Sequence, residues 1–234
     1  LKFLDFVKGE QIFNTDDIGD FIIRRADGKP TFMFCNAIDD AMMEVTHVLR
    51  GEDHLTNTAR QILILKTLGL NVPEYGHLSL IMGDDGAPLS KRHGSSSILD
   101  MQQDGVLPIA LVNYLARLGH HYEDNNLLEI NELAEKFNLN SLSKSAAKFD
   151  PIQLRYWQKL ALSHLSAEAM WAWMGDEVHH LVPPSKQHLF IESISPNVEF
   201  PEDALHWALV FFSELSMPDE EKAKILTEAG QSFF

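Results

Sequence analysis

Cysteine is almost missing from these 234 residues. Cys35 stands alone, which excludes an internal disulfide and any metal site made of four cysteines or of two cysteines and two histidines, and fits an intracellular setting. No apolar run approaches the ~18 residues that a membrane span requires. Leu1-Lys2-Phe3-Leu4-Asp5-Phe6 carries an acid where a signal peptide would stay apolar, so the expected location is cytoplasmic with no membrane partner. Glycine-rich nucleotide signatures are lacking as well: neither GxGxxG nor GxxxxGK[ST] occurs, and there is no serine-hydrolase elbow.

Positive charge is scarce. Lys and Arg number 19 against 34 Asp and Glu, a net charge of -15. Residues 161–234 hold only Lys186, Lys222 and Lys224 against twelve acids, whereas residues 1–160 hold sixteen cations against twenty-two. A broad basic nucleic-acid footprint is thereby excluded, and any RNA contact must use a local patch, most plausibly within the first 160 residues. What the chain has in quantity is apolar mass. At 45% hydrophobic residues, with four Trp and fourteen Phe, it can bury the core of one large domain or two small ones.

The first hundred residues read as mixed α/β. Phe21-Ile22-Ile23-Arg24-Arg25 and residues 30–35 flank Ala26-Asp27-Gly28-Lys29, a turn that predicts a hairpin. Residues 44–50 read as a strand ending at Gly51-Glu52-Asp53-His54. Thr56 is then placed to cap a helix carrying Ile62, Leu63, Leu65 and Leu68 and closed by Gly69. Residues 77–82 form a following strand. Strand, helix, strand is a parallel α/β unit, whose ligands sit beyond the carboxyl ends of the strands. From about Asp104 the pattern is helical: Pro108 starts one helix, residues 130–137 form another, and Asp150-Pro151 opens a third with Leu154, Trp157 and Leu160. Residues 166–234 read as helices interrupted at Pro183-Pro184, Pro196, Pro201 and Pro218. Two abutting domains with a junction near residues 95–105 are expected.

Both loops with chemical character follow strand ends. Pro88-Leu89-Ser90-Lys91-Arg92-His93-Gly94 offers a hydroxyl and two adjacent cations, suited either to solvent or to a phosphate. Arg50 and Asp53 fit a surface ion pair with helix-cap chemistry, or an arginine fork gripping an anion while an acid holds an ammonium group. Asp39 and Asp40 fit a turn as well as a ribose or cation site. His47, His54, His77 and His93 lack the cysteine partner or i, i+4 spacing of a metal centre. Ser141-Leu142-Ser143-Lys144-Ser145 repeats the hydroxyl and cation pattern but reads as a capped helix start before residues 146–149.

Five ordered blocks carry a resemblance: Asp27-Gly28-Lys29-Pro30-Thr31-Phe32, Ala37-Ile38-Asp39-Asp40, Thr46-His47-Val48-Leu49-Arg50-Gly51-Glu52-Asp53-His54, Leu89-Ser90-Lys91-Arg92-His93-Gly94 and Ser143-Lys144-Ser145. Together they resemble the bacterial glutamyl-tRNA synthetases, class I aminoacyl-tRNA synthetases, from about residue 3 to at least residue 160. The resemblance implies α/β plus all-α architecture, the second half of a Rossmann-like catalytic domain followed by a helical domain. It assigns residues 1–100 to the partial catalytic domain, with the end of its inserted acceptor-binding domain. Residues 101–234 fall to a helical stem-contact region and the start of the anticodon-binding region. It implies a ligase that joins L-glutamate to tRNA using ATP with Mg2+, acting as a monomer.

Carried over residue by residue, the loop with Lys91 is the signature that stabilises charge on the leaving pyrophosphate, shaped by Ser90 and Arg92. Ile81 falls where family backbone recognises adenine. Arg50 matches the arginine for the side-chain carboxylate of glutamate, which disfavours uncharged glutamine by leaving a cation unpaired. Asn36, Asp53 and Phe32 line the amino-acid pocket, and Asp40 lies near the tRNA acceptor end. Phe32 replaces the usual tyrosine and Pro88 the usual first lysine of the signature loop. The family's amino-terminal histidine motif does not occur in these residues, so an internal portion of a longer enzyme, inactive in isolation, is expected. Three rivals remain: charging of a glutamine-type tRNA, glutamylation of a modified tRNA base, against which the helical segment counts, and a non-catalytic tRNA-binding module.

Overall fold

A computed structural model describes residues 1–83, 85–89 and 97–213. Its first part is built on a four-stranded sheet in the order β2-β1-β4-β3, from β1 (Lys2–Asp5), β2 (Gly9–Ile12), β3 (His47–Gly51) and β4 (Glu74–Leu78). β1 and β2 form an antiparallel hairpin, β1 runs parallel to β4 through Asp5 and Tyr75, and β3 and β4 are parallel from His47 opposite Glu74 to Gly51 opposite Leu78. The crossover from β3 to β4 is helix α3 (Leu55–Thr67), which buries Ala59, Ile62 and Leu65. The polar loop at the end of β3 and the end of β4 thus share one edge, as a parallel unit requires.

A four-residue helix α1 (Thr15–Ile18) follows β2, and α2 (Phe32–Met42) packs on α3. Two local expectations change here. Residues 30–35 are not a second hairpin strand: the turn at Gly28 closes with a single bridge between Arg24 and Pro30, and the chain becomes α2 from Phe32. The run Thr-Phe-Met-Phe has strand-like composition, but the helix places Ala37 against α3, and that packing overrides propensity. Thr56 does not cap α3, because the 3-10 turn Glu52–His54 runs straight into it and Leu55 N–H bonds Glu52 O.

The strand read at 77–82 breaks in two. β4 ends at Leu78, and Ile81–Met82 forms β5, which pairs in parallel with β6 (Ala147–Lys148) in a separate two-stranded sheet. The expected helix at 146–149 is therefore strand. Asp150, forced extended by Pro151, delays the helix to α7 (Pro151–Ser163) and caps it by accepting from Ile152 N–H.

The remainder is helical: α4 (Ile98–Gln103), α5 (Pro108–Gly119), α6 (Ile130–Glu135), α7, α8 (Ala167–Met174), α9 (Asp176–Leu181), α10 (Gln187–Ile194) and α11 (Pro201–Phe212). Mixed α/β followed by all-α is the architecture expected. One apolar cluster joins α5 to α7 through Ala110, Tyr114, Leu154 and Trp157; another joins α8 to α11 through Met170, Met174, Val178, Phe190 and Ile194. The buried amide of Gln158 ties the clusters together, accepting from Leu107 N–H and donating to the carbonyls of Gly105 and Glu199. Gly105 sits at φ +85°, and a Cβ there would lie 2.3 Å from Pro201 Cδ. No helix among the described residues is long and apolar enough to cross a membrane.

Candidate functional site

The carboxyl edge of the parallel strands gathers one polar cluster around Arg50. Arg50 and His77 are opposite each other in the β3–β4 register, so both side chains reach the same face. Arg50 Nε donates to His77 Nε2 at 3.3 Å, Nη1 to Asn36 Oδ1 at 3.4 Å, and Nη2 to Thr58 Oγ1 at 2.6 Å and Gln61 Oε1 at 2.5 Å. Its guanidinium carbon stands 5.4 Å from the centre of the Tyr75 ring. All of these partners are uncharged, and Arg50 makes no ion pair with a carboxylate among the described residues. Burial lowers its pKa, while Tyr75, Asp40 and Asp53 oppose that shift.

Helix periodicity explains how α2 contributes. Phe32, Asn36 and Asp40 recur every four residues and so lie along one face. Asn36 is locked by accepting from Gln61 Nε2 at 2.7 Å as well as from Arg50. Asp40, half-buried, has its pKa raised by burial, opposed by Arg50 and reinforced by Asp39. Phe32 is 53% exposed, with its ring 5.4 Å from that of His54. Asp53 does not pair with Arg50; its carboxylate lies 3.7 Å from His54 Nε2 and is largely exposed. Arg50 thus forms no surface ion pair with Asp53, and its hydrogen bonds go to neutral side chains.

The second region is the hairpin leaving β5. Gly83 N–H bonds Ala87 O, Met82 bridges Pro88, and Leu89 N–H returns to Ile81 O at 2.8 Å. Ile81 lies at the root of the loop that leads to Ser90, Lys91 and Arg92, three residues that fall outside the described ones. Ser143-Lys144-Ser145, from the helical part, comes to the same edge. Lys144 O accepts from Ser79 Oγ at 3.1 Å and from Lys8 Nζ at 3.3 Å, and Lys8 also bonds Ser79 Oγ and forms an ion pair with Glu52.

Several residues of the Arg50 cluster escape a reading of the sequence by motif: Asp5, Thr58, Gln61, Tyr75 and, except as a rejected metal ligand, His77. A signal exists for two of them. Thr58 and Gln61 interrupt the apolar face of α3 that carries Ile62 and Leu65, and both are buried. Polar groups on a buried helical face need partners, and here the partner is a cation. The Tyr75 hydroxyl is the exception: it is buried with no hydrogen-bond partner among the described residues, and burial, with Arg50 opposing, pushes its pKa to about 12.

The family described as tRNA synthetases class I (E and Q), catalytic domain, matches residues 1–156. Along its whole length the chain is 55% identical to glutamate–tRNA ligase 2 of Nitrosococcus oceani, covering 50% of that protein. It is 53% identical over 232 residues to glutamate–tRNA ligase 2 of Coxiella burnetii, again covering 50% of it. Among solved structures it is similar to a glutamate tRNA ligase from Elizabethkingia meningosepticum in complex with its amino acid. The TM-score is 0.86 at 28% identity, covering 96% of this chain and 49% of the other. The chain spans about half the length of the curated relatives it matches.

Proposed function

The chain belongs to the catalytic-domain family of the class I glutamate and glutamine tRNA synthetases, and from that premise we propose that it serves a glutamate–tRNA ligase. The reaction is ATP plus L-glutamate plus tRNA giving glutamyl-tRNA, AMP and pyrophosphate. The observation that carries this reading is the Arg50 guanidinium, held at the carboxyl edge of the sheet by four neutral hydrogen-bond partners and no described carboxylate. A substrate carboxylate completes such a site through charge-assisted hydrogen bonds. Glutamine, uncharged, leaves the cation unpaired, which is the stronger form of discrimination. The relatives named glutamate–tRNA ligase support the same substrate.

In this reading residues 1–100 supply part of the catalytic domain and residues 101–234 the helical tRNA-contacting part. Asn36, Phe32 and Asp53 line the amino-acid pocket, and Asp40 lies toward the tRNA acceptor end. Ile81 backbone borders the adenine. The glutamate α-carboxylate attacks the α-phosphorus of ATP, the bond to the β-phosphate breaks, and pyrophosphate leaves. Lys91, with Ser90 and Arg92 shaping its loop, stabilises the charge that builds on that leaving group. A ribose hydroxyl of the terminal adenosine then takes the glutamyl group from AMP. Positioning and charge stabilisation carry both steps. Mg2+ would accompany ATP, held through phosphate oxygens and water rather than by a protein cage.

Glutamate-dependent ATP–pyrophosphate exchange by the full-length protein, with tRNA present, tests the reading. Exchange supported by glutamate and not glutamine is expected, and Lys91→Ala should lower it by about 10²–10³-fold. Exchange with glutamine alone would sink the substrate, and full activity in the variant would sink the role of Lys91. Charging of purified glutamate and glutamine acceptor tRNAs separates the two acceptor identities.

A further inference from the structure

Behind Arg50 lies a pair that the proposed chemistry does not use. Asp5 is 1% exposed and His77 is 0% exposed. The Asp5 carboxylate is ringed by donors: Oδ1 accepts from Val7 N–H at 2.9 Å, Lys8 N–H at 2.8 Å and His77 N–H at 3.1 Å, and Oδ2 lies 2.5 Å from His77 Nδ1. Burial alone would raise its pKa, but the hydrogen bonds from Lys8, His77 and Val7 leave it lowered, so Asp5 is ionised. His77 is kept neutral by burial, helped by Arg50 and His54 and opposed by Asp5.

An ionised carboxylate only accepts hydrogen bonds, so the one proton of a neutral His77 ring sits on Nδ1 and Nε2 presents a lone pair. Thr58 has a single hydroxyl hydrogen. Two acceptors compete for it, His77 Nε2 at 2.8 Å and the His54 carbonyl oxygen at 3.2 Å; the nearer, bare Nε2 takes it, and Thr58 Oγ1 keeps its lone pairs for Arg50 Nη2 at 2.6 Å. The sense of every bond from Asp5 to Arg50 is then fixed. Around His77 stand Asp5 from β1, Arg50 from β3, His54 from the 3-10 turn, Thr58 from α3 and the Tyr75 ring from its own strand, 6.2 Å away.

We propose that Asp5, His77 and Thr58 are positioning residues that lock the Arg50 guanidinium in the orientation that receives the substrate's side-chain carboxylate. The proposal rests on the glutamate reading above. A proton added to His77 Nε2 would turn an acceptor into a donor facing Thr58 and Arg50, and would set two cations side by side. Glutamate KM should therefore rise as the pH falls through the lowered pKa of His77, on the acid side of the ordinary histidine value of about 6.5, while kcat stays closer to constant.

The test uses the full-length protein. Thr58→Val, which keeps shape but removes the hydroxyl, should raise the KM for glutamate roughly 10- to 100-fold with a smaller change in kcat and in the KM for ATP. Thr58→Ser should restore the parental KM. Asp5→Asn, whose amide can donate to Nδ1 and so permit the other tautomer, should raise the KM at neutral pH. Ring nitrogen NMR on the unaltered protein supplies a readout that needs no folded variant: His77 should show protonated Nδ1 and bare Nε2 at neutral pH. A proton on Nε2 there, or a parental KM in Thr58→Val, overturns the proposal. If glutamate never saturates the unaltered protein, the functional reading falls by itself and the NMR tautomer still decides the hydrogen-bond chain.

Discussion

Arg50 and His77 occupy one rung of the parallel β3–β4 ladder, and Arg50 Nε points at His77 Nε2 across 3.3 Å. Backbone register alone brings them together, since Cβ atoms of paired residues in a sheet project from the same face. The cation is thereby placed where α/β folds bind ligands, with four of its five N–H groups directed by residues of β4, α2 and α3.

Arg50→Lys is consequently not a conservative change. A lysine ammonium has three donors and no planar fork, so it cannot serve His77, Asn36, Thr58 and Gln61 while also receiving a carboxylate. The charge stays, but losing charge-assisted hydrogen bonds of the fork costs about 1.5–3 kcal/mol, or roughly 10-fold and upward in kcat/KM for glutamate. Steady-state kinetics on the full-length protein should show that loss. A change under threefold would mean that Arg50 does not meet the substrate.

Tyr75→Phe should behave in the opposite way. The ring carries the contact to Arg50 and the packing, while the hydroxyl is buried without a partner among the described residues. Deleting an unsatisfied buried polar atom removes a desolvation cost, so stability should stay level or rise by up to about 1 kcal/mol. Urea unfolding measures this, and a loss beyond about 1 kcal/mol would reveal a partner for that hydroxyl.

The strand–helix part of the parallel unit was legible in the sequence because β3 and α3 carry strong local signals, an apolar strand and an amphipathic helix with a glycine stop, whereas β4 begins and ends earlier than the strand read at 77–82. Arg50 was legible for the same reason, standing at a predicted strand end. Asp5 and His77 were not. They meet across 72 residues, and nothing local distinguishes a buried Asp–His pair from two solvated side chains. The β5–β6 pairing escaped for the same cause. Ala147 and Lys148 take strand geometry only because Ile81 and Met82 present a free edge more than sixty positions away. Non-local pairing of this kind decides local structure wherever intrinsic propensity is weak.

Gly105 marks a junction where only glycine fits. Its φ of +85° is costly for any residue with a Cβ, and that atom would meet Pro201 at the start of α11. Its carbonyl meanwhile accepts from both Gln158 and Trp173 Nε1, so the backbone cannot swing away freely. Gly105→Ala should destabilise the helical part by about 2–4 kcal/mol, from backbone strain plus overpacking. Denaturant titration followed by tryptophan fluorescence reports it directly, and an unchanged midpoint would contradict the tight contact.

Acid should unfold the protein in two stages, and the first belongs to histidine. Burial lowers the native pKa of His77 below its ordinary value, so the unfolded chain binds a proton first as the pH falls. Stability then declines from about pH 7 downward, through the unfolded value near 6.5, until the native ring also titrates. His120, also buried, adds a loss of the same sign, because burial lowers its pKa too. Asp5 governs the second stage. Its native pKa is lowered, so its contribution is present above the unfolded carboxylate value and disappears as the pH drops through about 4 and below. Urea midpoints measured from about pH 8 down to about pH 2 should fall in both ranges, and His77→Gln should flatten the first while leaving the share owed to His120. Parallel curves for the two proteins would mean that His77 is already charged in the native state, against the burial and the neighbouring Arg50 that hold it neutral.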